Sequence, residues 1–327
     1  MRLSNRVKTI LKICVTIALL GYILLANDVP LVFKYLTAIS PFIWIVIFIF
    51  FAVSILITVI RTSLLLPGYT KRTLLYIRIV SSAYGFILPG QLAVEGLRAY
   101  LLGKGENAYS KPGAAIVVDK IVSLLALLVT GLIGLILTNK ISKSYVIAFC
   151  AIGITLILFL FSFNFSFVRK RADDLLLLLS RKNGKPGKVT TFFTQLLDYW
   201  QGYASNKILL LKSFMYGILF HLIAVFIGIL LTYGVGAGLN AIDWLWINAT
   251  VSIALLLPIT LGGLGIREAG MIGMLGLIGI KSEQALAVSF GFLSLLLIQA
   301  VVGFGIEIVI TLKRAKTPED NVDNGKK

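Results

Sequence analysis

Two arginines stand out in this sequence because each follows an apolar stretch that proline and glycine interrupt. Arg98 and Arg267 each lie nine residues after a proline and two residues after a glycine, Gly96 or Gly265. A short helix that begins near each glycine would place free backbone N–H groups and the positive end of the helix dipole beside the guanidinium. An arginine at such a helix end forms an anion site, and its planar fork suits a phosphate. The pattern therefore predicts a matched pair of phosphate-binding arginines.

Carboxylates accompany both arginines. Glu95 lies three residues before Arg98, and Glu268 directly follows Arg267. Each acid could be a counter-charge, a proton-coupling group or one half of a structural ion pair. Asp119 is followed directly by Lys120 and opens a further apolar run. Adjacent residues of a helix point in different directions, so one of these two could face a cavity while the other extends to the interface. We take Glu95, Glu268 and Asp119 as candidate site residues.

The two interrupted stretches match each other. Residues 88–99 read LPGQLAVEGLRA and residues 257–268 read LPITLGGLGIRE, an offset of 169 positions. The same offset superimposes the apolar run at 42–60 on that at 213–233, and the run at 121–138 on that at 284–306. This register predicts an internal repeat, with one copy at about 42–138 and the other at about 211–312.

The composition places these stretches in a membrane. Of the 327 residues, 58% are apolar and 14% are charged, against roughly 25% charged in an average soluble domain. The mean hydropathy is +0.95. These values exclude a soluble globular domain, a disordered chain and a disulfide-stapled module. The net charge of +17 resides in short loops between apolar runs rather than on a soluble basic surface, so we expect no nucleic-acid partner.

Six runs are long enough to cross a bilayer, which takes about 20 residues. We predict an all-α polytopic membrane protein with about six transmembrane helices and two broken or re-entrant helical hairpins in an inverted repeat. The second broken stretch could also cross as a broken helix. The predicted spans are residues 7–26, 42–60, 121–138, 145–168, 213–233 and 284–306.

The basic residues set the expected orientation. With both termini cytoplasmic and both hairpins re-entrant, only five of the 31 lysines and arginines lie on the outer side, in agreement with the positive-inside rule. We therefore predict a single domain over residues 1–312 in the cell (inner) membrane. Residues 169–207 are predicted as a cytoplasmic interfacial helix pair, and residues 313–327 as a polar cytoplasmic tail.

The remaining ionisable and sulfur-containing residues suggest no chemistry of their own. We expect His221 to be packed or hydrogen-bonded, Glu307 to be an interfacial carboxylate, and Arg61 and Arg78 to extend to the cytoplasmic interface. The two cysteines are expected to be buried apolar residues. No hydrolase, metalloprotease or nucleotide-binding motif is present, so we expect neither an enzyme nor a cofactor or metal.

The motif residues resemble a known family. The segments Leu88-Pro89-Gly90 and Gly262-Gly263-Leu264-Gly265-Ile266-Arg267-Glu268-Ala269 are similar to the flippase-like family typified by the transmembrane region of lysylphosphatidylglycerol synthase. The resemblance covers most of the chain, from about residue 11 to 312. Family members usually show Gly-Gly-Asp before the first arginine, whereas this sequence has Ala93-Val94-Glu95-Gly96.

The resemblance implies translocation of a phospholipid or a lipid-linked headgroup between leaflets. Synthases of this family add a soluble catalytic domain after the membrane region; this sequence runs to Lys327 without one, and we expect no lysyl transfer. Two alternatives stay open. One is a membrane subunit or anchor for a separate lipid-modifying enzyme, and the other is a secondary transporter of a small organic anion.

Overall fold

The structure is a computed structural model that describes residues 5–88, 90–106, 108–138, 142–162, 164–180 and 188–316. Regular structure in these residues is entirely helical, which confirms the all-α prediction. A single 3-10 turn, Tyr84–Phe86, follows the fourth helix. The helices in chain order are α1 (Asn5–Leu25), α2 (Val29–Ala38), α3 (Pro41–Leu65), α4 (Lys71–Ala83), α5 (Gln91–Glu106), α6 (Ser110–Leu137), α7 (Lys143–Ser162), α8 (Ser166–Ser180), α9 (Lys188–Ser205), α10 (Lys207–Gly234), α11 (Ala241–Ala254), α12 (Ile266–Gly276) and α13 (Ser282–Lys316).

Five helices in the described residues, α3, α6, α7, α10 and α13, are long and apolar enough to cross a membrane. A sixth crossing is available if α1 and α2 act as one span bent by 83°. The predicted number of about six spans is therefore confirmed. Neither α4 with α5 nor α11 with α12 belongs to these candidates, so both interrupted stretches are separate short helices, as the prolines and glycines indicated.

Several spans begin or end elsewhere than predicted. Helix α6 already begins at Ser110. Pro112 is tolerated in its first turn, because backbone N–H groups there have no partner within the helix. Helix α7 ends at Ser162 instead of reaching residue 168, which belongs to α8. Helix α13 extends to Lys316, into the segment predicted as a polar tail. The rest of that tail, residues 317–327, lies outside the described residues.

Side-chain caps fix where several helices begin. Ser40, Thr70 and Asn206 each accept a hydrogen bond from the backbone N–H three residues later, at the starts of α3, α4 and α10. Such a cap satisfies one of the four free donors of a helix start and contributes about 1 kcal/mol. The starts of these helices are thus determined by neighbouring polar residues of the sequence.

The four helices α3–α6 recur, in order and approximate length, as α10–α13. At the offset of 169, α4 falls on α11 and α6 falls on α13. The packing also corresponds, because α4 lies against α13 as α11 lies against α6, while α3 lies against its counterpart α10. The inversion of one repeat relative to the other across a membrane stays a prediction.

The segment predicted to lie on the membrane surface forms α8 and α9. Aromatic residues on one face of α9 pack against other helices of the protein instead of facing a membrane surface. Leu197 and Trp200 are buried, and the Trp200 Nε1–H donates to the Leu160 carbonyl at 2.9 Å. The Tyr203 hydroxyl donates to the Leu65 carbonyl at 2.9 Å. This face therefore fastens α9 to the ends of α3 and α7, as well as to α6.

The two cysteines contradict the expectation of burial. Cys14 on α1 and Cys150 on α7 are both exposed. In a chain with this many membrane helices, an apolar residue on the outer surface has lipid to face. An apolar run in the sequence therefore does not by itself indicate burial within the protein.

Candidate functional site

The two broken helix pairs meet at their breaks. Gly90, with φ of +78°, precedes α5 and lies so close to Pro258 that a Cβ on it would stand 3.0 Å from the Pro258 Cα. Gly262, in the break between α11 and α12, lies against the Gly85 carbonyl and the Phe86 Cα in the same way. Only glycine combines a positive φ with so close an approach. Pro258 is the repeat counterpart of residue 89, so the contact lies where the two repeats join.

A cavity of about 360 Å³ opens beside this contact. Its wall combines α3–α6 from the first repeat with α10–α13 from the second, a position between helices that ligand sites often occupy. Apolar side chains form much of the wall. The polar and charged residues in it are Ser54, Thr58, Arg61, Arg78, Ser82, Gln91, Glu95, Lys120, Ser123, His221, Asn248, Ser252, Arg267 and Gln299.

Asp119 on α6 holds two arginines from different helices. Its Oδ1 accepts from the Arg61 Nε at 2.6 Å and its Oδ2 from the Arg61 Nη2 at 3.0 Å. The Arg98 Nη2 donates to the same Oδ2 at 3.3 Å. All three side chains are buried. A fork-to-carboxylate pair of this kind fixes orientation as well as charge, so Asp119 positions α3 and α5 against α6.

Glu95 links Arg98 to a third arginine, Arg78. Its carboxylate lies 3.0 Å from the Arg98 Nη2 and 3.8 Å from the Arg78 Nη1 on α4. Lys120, on the helix face next to Asp119, donates to the Gln91 amide oxygen at 3.3 Å. Lys120 therefore lines the cavity while its neighbour Asp119 lies behind the wall, as adjacent residues of a helix allow.

The protonation states follow from these neighbours. Burial, together with the charge of Arg98, lowers the pKa of Arg78 to about 10, and Glu95 opposes the shift. Burial alone would raise the pKa of Glu95, but Arg98, Lys120 and Arg78 outweigh it and hold that pKa below its usual value. Both groups are therefore charged at neutral pH.

Arg267 lies on the other half of the cavity wall, at the second residue of α12. Its side chain is buried and its Nη1 has no hydrogen-bond partner in the described part of the chain. Burial lowers the pKa of Arg267, and the Glu268 carboxylate opposes this. Gly265, with φ of +86°, forms the N-cap of α12, so the helix begins beside Arg267 as the sequence suggested.

Glu268 is engaged elsewhere. Its Oε2 accepts from the Gly265 backbone N–H at 2.5 Å, and its Oε1 accepts from the Ser289 hydroxyl at 3.1 Å. No ion pair joins it to Arg267 within the described residues. Glu268 therefore caps α12 and ties it to α13, as a carboxylate at the third position of a capping box does.

The arginines of the two matched motifs are placed differently. Arg267 lines the cavity, whereas Arg98 lies behind its wall between Glu95 and Asp119. The reason is the helix start: α5 begins at Gln91 instead of near Gly96, so Arg98 is two turns inside the helix. Gly96 has no neighbour within 4 Å of a Cβ built on it.

Sequence reasoning missed Arg61 and Arg78. They were expected to extend to the cytoplasmic interface, but both are turned into the cavity wall. The signal that could have found them is Asp119, because a carboxylate inside an apolar span needs a buried cation as its partner. His221 agrees with its expected structural role, since its Nε2–H donates to the Ser123 carbonyl at 3.0 Å.

Cations exceed carboxylates in this region. Among the described residues, Arg61, Arg78, Arg98 and Lys120 face two acids, Glu95 and Asp119. Nitrogens of three of these arginines, Arg61 Nη1, Arg78 Nε and Arg98 Nε, lack a hydrogen-bond partner in the described residues. Buried donors without acceptors are costly, and buried charges are ordinarily paired. The Glu95 Oε2 also lacks a hydrogen-bond partner in the described part of the chain. The surplus of positive charge in this region therefore favours an anionic ligand.

These features define a polytopic helical membrane protein with a cationic cavity between two broken helix pairs. A family model described as Lysylphosphatidylglycerol synthase TM region matches residues 9–303. The chain belongs to this family, as the resemblance of its motifs indicated. The match includes the whole cavity wall and all of α3–α12, and it ends within α13. No curated protein and no solved structure matched the chain in the corresponding searches.

Proposed function

We propose that this protein translocates a phospholipid or a lipid-linked headgroup between the leaflets of the cell membrane. The observation that carries the proposal is the cavity, which receives cationic side chains from both repeats. A phosphate is the anion that arginine forks bind best. The cavity volume suits a headgroup, while the acyl chains would remain in the surrounding lipid.

The family supports a lipid as the ligand, because it is the membrane region of enzymes that make a modified lipid. We propose that this chain transports rather than transfers a lysyl group. The distribution of basic residues supports cytoplasmic N- and C-termini. In this orientation the ends of α3 and α6 that carry Arg61 and Asp119 lie toward the cytoplasm, where a headgroup from the inner leaflet would enter.

Leaflet exchange of labelled phosphatidylglycerol in proteoliposomes tests the proposal. Wild-type protein should move label between leaflets, and Arg267→Gln and Arg78→Gln should each slow it by about tenfold or more, as loss of a charged hydrogen bond does. Arg72→Gln is the matched control, because Arg72 is exposed on the same helix as Arg78 and does not line the cavity.

Three outcomes would contradict this function. Exchange that is equally fast with all three variants would remove the cavity from the pathway. Absence of exchange with several lipids, for a protein that is folded by its melting profile, would favour a membrane subunit that acts with a separate lipid-modifying enzyme. Uptake of a soluble organic anion into the vesicles, without lipid exchange, would instead indicate a small-anion transporter.

A further inference from the structure

The part of the cavity wall that α3–α6 form indicates the charge of the ligand. Arg61, Arg78 and Lys120 line the cavity there, and Glu95 is the carboxylate among them. Behind them, Arg98 and Asp119 balance each other. This side therefore has a surplus of two positive charges, and no further acid lines this wall in the part of the chain that the structure describes.

The second half of the cavity does not change this balance. Arg267 adds a cation, but Glu268 follows it directly and its carboxylate lies close enough to oppose the loss of charge on Arg267. The surplus of two therefore belongs to the α3–α6 wall.

Unsatisfied donors occur on the same wall. Arg61 is 5% exposed and uses its Nε and Nη2 on Asp119, which leaves its Nη1 without an acceptor in the described residues. The Arg78 Nε likewise has none. Lys120 has three ammonium hydrogens and is hydrogen-bonded to one amide oxygen, that of Gln91. The Arg61 Nη1 and the Arg78 Nε are themselves shielded from the cavity. The donors that a ligand can reach are therefore the Lys120 ammonium and the exposed part of the Arg78 side chain, which is 22% exposed.

We propose, on the basis of the lipid translocation above, that this wall binds a terminal phosphate monoester in its dianionic form. A phosphodiester such as that of phosphatidylglycerol has one negative charge and two non-bridging oxygens, which would leave one cation unpaired. A monoester has three terminal oxygens and carries close to two charges above its second pKa of about 6. Its charge equals the surplus, and its terminal oxygens can accept from Lys120 and Arg78. The substrate class is therefore a lipid that ends in a phosphate monoester.

Binding to the purified protein in micelles tests this assignment with defined probes. The probes are short-chain phosphatidic acid, short-chain phosphatidylglycerol, glycerol 3-phosphate and inorganic phosphate, each at pH 5 and pH 8. At pH 8, phosphatidic acid should bind about tenfold or more tightly than phosphatidylglycerol, the effect expected of one extra charge beside buried cations. At pH 5, where the monoester has lost its second charge, this preference should largely disappear.

The variants sharpen the comparison. Lys120→Met should reduce the preference for phosphatidic acid at pH 8, whereas Lys212→Met, an exposed lysine of α10 outside the cavity, should leave it unchanged. If Lys120→Met does not fold, the pH dependence of the wild-type preference still decides the question. Equal affinities of the two lipids at pH 8, or a preference that does not change with pH, would overturn the assignment.

The source of the phosphate and the validity of translocation are separate outcomes. Glycerol 3-phosphate or inorganic phosphate binding as tightly as phosphatidic acid would overturn a lipid source and indicate a soluble phosphate ester. Leaflet exchange of phosphatidylglycerol but not of phosphatidic acid would keep translocation and overturn the dianion. Preferential binding of phosphatidic acid without any leaflet exchange would support the dianion and refute translocation.

Discussion

Replacing Asp119 with Asn should destabilise the protein more than replacing Glu95, the other carboxylate of this cluster, with Gln. Asp119→Asn keeps the shape of the side chain but removes the charge that pairs with Arg61 at 2.6 Å and with Arg98 at 3.3 Å. The carboxylate is 2% exposed, so water cannot replace it. Two buried guanidinium groups would then lie close together without their shared counter-charge.

The magnitude follows from burial. Two charges 4 Å apart interact by about 4 kcal/mol at an effective dielectric constant near 20, and removal of one partner of a buried pair typically costs about 3–5 kcal/mol. For a chain of this size, this corresponds to a fall in melting temperature of the order of 10 °C. Thermal unfolding of the protein in nanodiscs, followed by tryptophan fluorescence, measures it.

Asp198→Asn is the matched control. Asp198 pairs with Arg169 at the same distance of 2.6 Å, but its side chain is 60% exposed. An exposed pair contributes about 0–1 kcal/mol, so its loss should lower the melting temperature by no more than about 2 °C. If both variants unfold at the same temperature, burial does not set the strength of these pairs and the reasoning is wrong.

The other predictions concern the helix breaks. Gly90→Ala should lower the melting temperature clearly, at a cost of about 1–3 kcal/mol, since the new Cβ would stand 3.0 Å from the Pro258 Cα at a φ of +78°. Gly96→Ala is the control and should be neutral or slightly stabilising, because its new Cβ meets nothing within 4 Å. Equal effects of the two substitutions would refute the contact. Tyr84→Phe removes a hydroxyl that donates to Glu307 at 2.9 Å and should cost about 1.5–3 kcal/mol by the same measurement, whereas an unchanged melting temperature would show that this bond does not hold α13.

The sequence alone was enough for the parts of the fold that depend on local chemistry. Proline, glycine and capping residues mark the helix ends, and the apolar runs between them are long enough to identify the spans. The helix α2 was not predicted, because its ten residues are apolar but too few to span. Its start is nonetheless marked by Asp28, which accepts a hydrogen bond from the Leu31 N–H.

The cavity wall was harder to predict because it depends on contacts distant in sequence. An arginine at the end of an apolar run has the same local pattern whether it extends to the interface or turns inward. For Arg61 the deciding partner is Asp119, which lies 58 positions away. The two motif arginines have the same spacing from a proline, but α5 begins seven residues before Arg98 and α12 begins one residue before Arg267. Of the two, Arg267 therefore reaches the cavity.

The close approach of Gly90 to Pro258 also bears on how the protein can move. At this point main-chain and proline-ring atoms of one hairpin lie directly against the other, and no long side chain stands between them. Rotation of a side chain therefore cannot separate the two repeats there. They can part only if a whole hairpin shifts as a rigid body, a motion that takes microseconds to milliseconds rather than the nanoseconds of a rotamer change. Any opening at this point is then paced by backbone displacement.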